Sequence, residues 1–235
     1  MAARDDVAAA IRDSIAAAGS LYSWARNRPE RTVFHGRGEA YAVRLGSVDA
    51  VVRHARRGGV PAFFSEDLFT GTPRFFRELD LSLLLSSAGV ATPAVLAGVA
   101  YHAVLGYRAD VATARVAGSD LASLCFGDRP PEGARRTELF RAVGRLVRRV
   151  HDAGFVHPDL QLRNLVVNDA APPPEAWLLD VDTCRSIHPR DEAARRRNLD
   201  RFYRSWEKWN TAHGPRLTPD DRSAFEDAYA EEAKA

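Results

Sequence analysis

Asp159 and Asn164 stand just before one short apolar run, residues 165–167, and Asp180 stands just after a second run, residues 177–179. A proline-rich segment separates the two runs, so the pattern predicts a two-stranded hairpin. The hairpin would bring the three polar side chains to one of its ends. Their oxygens are hard ligands of the kind that Mg²⁺ takes, usually one or two from protein and the rest from phosphates. This spacing therefore predicts a site for phosphoryl transfer.

The order of the residues around this hairpin is that of a kinase catalytic loop. The segment His157-x-Asp159-x-x-x-x-Asn164 resembles the H-R-D-x-x-x-x-N loop of protein-kinase-like enzymes. Asp180-x-Asp182 stands where those enzymes have Asp-Phe-Gly. The resemblance implies that Asp159 orients an acceptor hydroxyl and that Asn164 and Asp180 hold Mg²⁺. His157 and Asp182 would support the loop, and the expected cofactors are ATP and Mg²⁺.

A glycine turn in the first part of the chain offers a place for the phosphates of ATP. Gly36-x-Gly38 lies between two stretches that read as strands, residues 32–34 and 41–45. Glycine lets backbone N–H groups approach an anion without a Cβ in the way. Tight hairpins use the same residues, so the turn by itself is a weak signal. Together with the downstream loop it resembles the glycine-rich loop of kinases.

The cations of this chain are almost all arginine. Lysine occurs only at Lys208 and Lys234, so the lysine that kinases place on their third strand has no lysine counterpart here. Arg53, in the third predicted strand, stands in that position. Glu78, in a helix predicted over residues 73–88, stands where kinases place the glutamate that pairs with this cation. The sequence therefore predicts an Arg53–Glu78 pair that holds the guanidinium toward phosphate.

Residues 53–59, Arg-His-x-x-Arg-Gly-Gly, point to a narrower resemblance. This stretch, after a glycine-rich hairpin, resembles the 3-deoxy-D-manno-octulosonic acid (Kdo) kinases of the lipopolysaccharide kinase group. The resemblance covers most of the chain and implies transfer of the ATP γ-phosphate to the 4-hydroxyl of Kdo on a lipid A precursor. Arg56 and Arg57, and with them Arg163 or Arg185, would meet the carboxylate and phosphates of this acceptor.

The predicted elements give an α+β, two-lobed protein-kinase-like fold with a small β-rich N-lobe and a reduced helical C-lobe. We expect a helical extension over residues 1–30, an N-lobe over residues 31–118 and a C-lobe over residues 119–235. A hinge near residues 116–119 would meet the adenine. A helix over residues 137–152, with apolar residues at helical spacing, would lead into the catalytic loop. The helix over 73–88 is expected to turn these side chains inward: Phe75, Phe76, Leu79, Leu83 and Leu84.

The amino-acid composition indicates which partners and which cellular location to expect. The formal net charge of +2 gives no reason to expect nucleic acid. No apolar run approaches the ~20 residues that span a membrane, and the acidic N-terminal stretch is unlike a secretory signal. Two cysteines are too few for a disulfide framework, so a cytoplasmic location is expected. A lipid-linked acceptor would bring the protein into peripheral contact with the cytoplasmic face of the inner membrane. Residues 5–18 are predicted to form a helix that packs against the body of the protein and not against a membrane.

Two other functions are compatible with parts of the pattern. The chain after Asp182 is short and contains no Ala-Pro-Glu motif, which favours a compact acceptor such as a sugar over an extended peptide. A small atypical protein serine/threonine kinase of the RIO or Bud32 type is also compact, but such kinases keep the third-strand lysine. The missing lysine would be consistent with a pseudokinase that binds nucleotide without turnover. The intact set of Asp159, Asn164 and Asp180 argues against a pseudokinase.

Overall fold

The structure is a computed structural model that describes most of the chain, namely residues 1–35, 38–55, 68–71, 73–170 and 172–231. The chain forms two compact units. The first consists of Met1–Asp80 and Pro93–Arg115, and the second of Leu81–Thr92 and Val116–Ala235.

The division between the units differs in two places from the predicted domain limits. Residues 1–30 belong to the first unit and do not form a separate extension. Leu81–Thr92 belongs to the second unit, because Leu81, Leu85 and Val90 are buried in the hydrophobic core of that unit. The change from the first unit to the second after Arg115 falls at the start of the segment expected to be the hinge.

The first unit is built on a six-stranded antiparallel sheet. Its strands are β1 (Ala2–Ala3), β2 (Thr32–His35), β3 (Glu39–Leu45), β4 (Val48–His54), β5 (Val95–Ala103) and β6 (Gly106–Ala114). Their order across the sheet is β1-β5-β6-β4-β3-β2. Gly38, one of the glycines expected over phosphate, directly precedes β3, while Arg53 lies on β4 and is paired with Ala40 of β3.

Two N-terminal helices, α1 (Asp5–Ala18) and α2 (Leu21–Arg26), pack against this sheet. Val7 and Ile11 of α1, four residues apart, are fully buried in the same cluster as Leu21 and Ala25 of α2. Burial of this face agrees with the expectation that the first helix packs against the body of the protein.

Asp110, a fully buried carboxylate on β6, holds α2 to the sheet. Its Oδ2 accepts the backbone N–H of Tyr22 at 2.8 Å, and its Oδ1 lies 2.6 Å from His54 Nδ1. The hydroxyl of Tyr101 accepts the N–H of Leu21 at 2.8 Å. The first N–H groups of a helix have no acceptor inside the helix, so the sheet supplies one for each of these two.

The second unit is mainly helical and contains two small sheets. Its elements are β7 (Ser119–Asp120), α4 (Leu121–Phe126), α5 (Gly133–Asp152), β8 (Phe155–Val156), β9 (Leu165–Asn168), β10 (Glu175–Leu178), β11 (Arg185–Ser186), α6 (Glu192–His213) and α7 (Pro219–Ala230). One sheet has the order β10-β9-β7, and the other pairs β11 with β8. Across the described residues, no helix has both the length and the apolar character needed to cross a membrane.

Helix α5 forms the centre of the second unit, as its apolar spacing predicts. Its buried residues share the core with α6 and α7: Leu139, Phe140, Val143, Leu146, Val147 and Val150. Gly144 permits the close approach of α7, since a Cβ at this position would lie 2.4 Å from the Phe225 carbonyl oxygen. Helix α7 begins with a capping box between Thr218 and Asp221.

Helix α3 (Arg74–Ser87) spans the division between the units, and the predicted inward face of this helix is partly wrong. Phe75 is buried, but Phe76, Leu83 and Leu84 are 41%, 61% and 54% exposed. The buried face instead passes through Phe75, Glu78, Leu81, Ser82 and Leu85. Apolar residues occur on both sides of this helix, so the hydrophobic pattern alone does not identify the buried face. A paired Glu78 takes a buried position that the apolar pattern cannot indicate.

Replacement of Asp110 by alanine is expected to destabilise the first unit by about 3 kcal/mol, because it removes the acceptor for buried donors on Tyr22 and His54. Urea unfolding measures the loss, and amide exchange should show faster opening at Tyr22. Asp49→Ala is the matched control, because Asp49 forms an exposed pair with Arg44 that contributes at most about 1 kcal/mol. Equal losses in the two variants would contradict the assigned contribution of Asp110.

Candidate active site

The hairpin predicted around the polar residues is present in the second unit. Strands β9 and β10 pair antiparallel, with Leu178 opposite Leu165. Just beyond the paired strands, the N–H of Leu179 donates to the carbonyl oxygen of Asn164 at 2.9 Å. Since Asp180 directly follows Leu179, this bond places Asn164 and Asp180 next to each other at one end of the hairpin.

Asn164 closes the loop that begins at Asp159. Its side chain is buried, and its Nδ2 donates to the backbone carbonyl of Asp159 at 2.9 Å. This bond determines which way the amide is turned. Its other atom, Oδ1, receives no hydrogen bond from any residue in the described ranges. The amide oxygen is therefore available as a ligand for a cation.

Asp180 has a backbone conformation that few residues adopt. Its φ of 54° and ψ of 41° lie in the left-handed region, and it is the one non-glycine residue with positive φ in the part of the chain that the structure describes. Asp and Asn enter this region more readily than most residues. The Asp180 carbonyl accepts hydrogen bonds from the N–H and the hydroxyl of Thr183, which hold this turn. Strained backbone of this kind concentrates at functional sites.

The carboxylate of Asp180 is exposed, and no Lys, Arg or His of the described segments forms an ion pair with it. With the amide oxygen of Asn164, this carboxylate gives two hard oxygen ligands on residues that lie at the same end of the hairpin. The described residues contain no group of three His, Cys, Asp or Glu side chains arranged for a metal. A pair of oxygen ligands nevertheless fits Mg²⁺ in a phosphate site, because water and phosphate complete its shell.

Asp159 lies at the start of the loop that Asn164 closes, and its side chain is about one-third exposed. Its Oδ2 accepts a hydrogen bond from Gln161 Nε2 at 2.9 Å. Its Oδ1 is 2.6 Å from Nη2 of Arg201, which comes from α6. Sequence motifs point to Asp159 but do not indicate Arg201, because the two residues are far apart in the chain and meet only through packing of α6.

His157 is buried and connects the loop to the end of β10. Its Nε2 donates to the carbonyl of Leu179 at 3.0 Å, and its Nδ1 has no hydrogen-bond partner within the described residues. Burial lowers the pKa of His157, although the Leu179 carbonyl acts in the opposite direction. The neutral ring with its proton on Nε2 satisfies this geometry. Such a histidine supports the loop and is poorly placed to exchange protons with a substrate.

Asn198 of α6 is a second residue that the sequence motifs do not indicate. Its Oδ1 accepts the N–H of His157 at 3.1 Å, and its Nδ2 donates to the carbonyl of the same residue at 2.6 Å. Its Oδ1 also lies 3.0 Å from Nε2 of His151, whose Nδ1 is 2.6 Å from the hydroxyl of Tyr229. Burial lowers the pKa of His151 as well. Helices α5, α6 and α7 thus hold the start of the loop together.

The first unit contains the predicted Arg53–Glu78 pair. Nη2 of Arg53 lies 2.6 Å from both carboxylate oxygens of Glu78. Glu78 is buried and Arg53 is partly exposed. Bonds between a guanidinium and a carboxylate are among the strong hydrogen bonds of proteins. The pair holds the arginine in one orientation on β4.

The other predicted site residues lie in varied surroundings. Asp182 is half-buried in the short turn after Asp180. The guanidinium of Arg163 lies over the ring of Trp209, 5.3 Å from its centroid, and Arg185 is exposed on β11. Gly38 is described at the start of the segment leading into β3. Three predicted site residues lie outside the described residues: Gly36, Arg56 and Arg57.

These features are those of a protein-kinase-like phosphotransferase. One unit carries an antiparallel sheet with an Arg–Glu pair, and the other carries a loop that aligns an Asp, an Asn and a second Asp. A solved structure, described as WaaP in complex with acyl carrier protein, resembles this chain with a TM-score of 0.55 and 20% identity. The match covers 84% of this chain and 77% of that one, and it supports the kinase-like fold.

The sequence comparisons identify the family. The model of the lipopolysaccharide kinase (Kdo/WaaP) family matches residues 26–229. A 3-deoxy-D-manno-octulosonic acid kinase from Vibrio parahaemolyticus is 33% identical over 178 residues, which are 74% of this chain and 71% of that protein. A protein of the same name from Actinobacillus succinogenes is 31% identical over 226 residues, 86% of this chain and 91% of that protein. The chain belongs to the lipopolysaccharide kinase (Kdo/WaaP) family and is a kinase.

The free energy of unfolding is expected to fall as the pH decreases from about 7.5 to 5.5. Burial lowers the folded-state pKa of His157 and of His151, whereas an unfolded histidine titrates near pH ~6.5. The unfolded chain therefore binds more protons than the folded chain as the pH falls through that range, which favours unfolding. His157→Gln should reduce this dependence by up to about 1.4 kcal/mol per pH unit, the contribution of one proton.

Urea unfolding at pH 7.5 and pH 5.5 measures this dependence. His102→Gln, at an exposed histidine on β5, is the matched control. A change in His157→Gln no larger than the change in the control would show that burial of His157 does not control the acid sensitivity.

Proposed function

We propose that this protein transfers the γ-phosphate of ATP to the 4-hydroxyl of Kdo on a lipid A precursor. The observation that carries the proposal is the alignment of Asp159, Asn164 and Asp180 around one end of the β9–β10 hairpin. The names of the curated relatives support Kdo as the sugar. Because the proposed acceptor is linked to a lipid, the proposal includes peripheral contact of the protein with the cytoplasmic face of the inner membrane.

In this proposal the first unit supplies groups for the phosphates of ATP. Arg53 would neutralise the α- and β-phosphates in place of the usual lysine. Its planar guanidinium needs to be held in one orientation, which the Glu78 carboxylate does through Nη2. The backbone of the turn containing Gly36 and Gly38 would cover the phosphates.

Asn164 and Asp180 are the residues that would hold Mg²⁺. Their side-chain oxygens are hard ligands at the same end of the β9–β10 hairpin, and no cation within the described ranges engages them. When bound, Mg²⁺ supplies positive charge that offsets the charge developing on the transferring phosphoryl group. Asp182 would support the geometry of this turn.

Asp159 would orient the acceptor hydroxyl and receive its proton. The bond between the γ-phosphorus and the oxygen that leaves with ADP breaks, and a new bond forms between the phosphorus and the sugar oxygen. The transition state of such transfers is loose, so the hydroxyl needs little early deprotonation and an ordinary carboxylate is sufficient. Gln161 and Arg201 hold the Asp159 carboxylate in place for this step.

Labelled ATP and Kdo-lipid IVA test this proposal directly. The wild-type protein is expected to label the lipid. Asp159→Asn should reduce the rate by about 10²–10⁴-fold with near-normal nucleotide binding, because only proton transfer and hydroxyl orientation are affected. The matched control is Asp169→Asn, at an aspartate whose partner is Arg135.

The other outcomes of this experiment distinguish between the proposed function and its alternatives. An unlabelled lipid, under conditions in which a known Kdo kinase works, would exclude the proposed acceptor. Transfer to protein or peptide would favour the RIO-like alternative, and nucleotide binding without any transfer would favour a pseudokinase. Full turnover in Asp159→Asn would remove Asp159 from its proposed role.

Glu78→Gln is expected to weaken ATP binding by about 10-fold or more, because Arg53 loses a charged partner that orients it. The KM for ATP and nucleotide affinity measured by titration should both show the change, while the KM for the acceptor stays the same. Glu30→Gln, which removes an exposed ion pair with Arg28, is the matched control. Wild-type nucleotide affinity in Glu78→Gln would mean that the pair does not act on ATP.

A further inference from the structure

Helix α6 carries four cations on one face: Arg197, Arg201, Arg204 and Lys208. We refer to them as the α6 basic row. Their spacing of four, three and four residues keeps them on one side of a helix with 3.6 residues per turn. The row extends for about 16 Å along the helix axis, at 1.5 Å per residue.

The charge of this row is largely unneutralised. Arg197, Arg204 and Lys208 are exposed, and within the described part of the chain none of them forms an ion pair. Two acidic residues of the same helix, Asp200 and Glu207, are exposed on the neighbouring face and form no ion pair with the row in that part of the chain. The row is therefore a positive surface that can accept anions.

Arg195, an arginine of α6 that stabilises the fold, has different surroundings from the exposed members of the row. Arg195 is buried, and its Nη2 donates to the carbonyls of His151 and Pro189 and to the carboxylate of Asp152. The three exposed members of the α6 basic row have no such contacts among the described residues.

Arg201 connects this row to the proposed catalytic carboxylate. It is 28% exposed, and its Nη2 lies 2.6 Å from Oδ1 of Asp159. A guanidinium has five N–H donors in a planar fork, and those on Nε and Nη1 of Arg201 have no partner within the described residues. A second carboxylate can therefore bind this arginine beside the one that it already holds.

We infer that Arg201 binds the carboxylate of an acidic sugar acceptor and that the rest of the α6 basic row binds its further anionic groups. The inference rests on the proposed function and specifies how the acceptor is recognised. The hydroxyl that receives phosphate must reach Asp159, and a sugar acid carries its carboxylate on the same ring, close to that hydroxyl. Phosphate groups elsewhere on a lipid-linked acceptor then meet Arg197, Arg204 and Lys208.

The decisive experiment compares two acceptors, one with the Kdo carboxylate intact and one with that carboxylate converted to the carboxamide. The wild-type protein should prefer the acid. Arg201→Gln should raise the KM for the acid by about 10- to 100-fold without raising the KM for the amide or for ATP, so that the preference disappears. It should also lower kcat for both acceptors, because Asp159 loses the guanidinium that holds it. Arg201→Lys should restore part of the preference, because it restores the charge. Arg149→Gln, at an exposed arginine on α5, is the matched control.

Two results of this experiment would overturn the inference, and they differ from each other. If Arg201→Gln lowers kcat equally for both acceptors and retains the preference for the acid, Arg201 acts only on Asp159 and the proposed function stands. If the wild-type protein labels neither acceptor, the proposed function fails and the inference fails with it.

The outer part of the row can be tested separately. The triple variant Arg197→Gln, Arg204→Gln, Lys208→Gln should raise the KM for the phosphate-bearing lipid acceptor by about 10-fold and leave the KM for a short Kdo glycoside unchanged. High salt should produce the same difference in the wild-type protein. Equal KM changes for both acceptors, or no change for either, would show that the exposed cations do not bind acceptor phosphates.

Discussion

The two hydrogen bonds between Asn198 and the backbone of His157 hold the start of the loop with Asp159 and Asn164 in the interior of the second unit. They satisfy the N–H and the carbonyl of a residue buried in irregular backbone. Buried backbone groups without partners are costly, so a loop can enter the interior only where side chains replace the bonds of regular structure. With His157 held, its ring reaches the Leu179 carbonyl, and the residues after Leu179 begin the turn at Asp180. The contact therefore connects the buried start of the loop to the turn at Asp180.

Charge is distributed in the second unit in a way that suits its proposed chemistry. The carboxylate expected to act on the acceptor, Asp159, is held by the guanidinium of Arg201. The oxygens expected to bind Mg²⁺, on Asn164 and Asp180, have no cationic partner within the described segments. Adjacent groups of the same loop thus differ in their surroundings, and the difference comes from one helix, α6, which passes Asp159.

In the proposed function, an arginine of the first unit takes the place of the usual kinase lysine. A lysine ammonium acts as a compact point charge, whereas a guanidinium must be oriented before it can face a phosphate. Glu78 provides that orientation by taking both bonds from one nitrogen of Arg53. Burial of the two charged groups removes them from water, which costs free energy. The short charge-assisted hydrogen bonds offset this cost only while both partners are present.

Local signals in the amino-acid sequence were sufficient to predict the β9–β10 hairpin and helix α5. Motif spacing, turn residues and apolar periodicity involve neighbours in the chain, so they can be recognised without a structure. Even the Arg53–Glu78 pair could be predicted, because a family pattern relates the two positions. The buried face of α3 and the contacts of α6 with the loop, in contrast, became visible only in the folded chain. Asn198 and Arg201 lie far along the chain from His157 and Asp159, and their contacts arise from packing between helices, for which a single sequence carries no local signal.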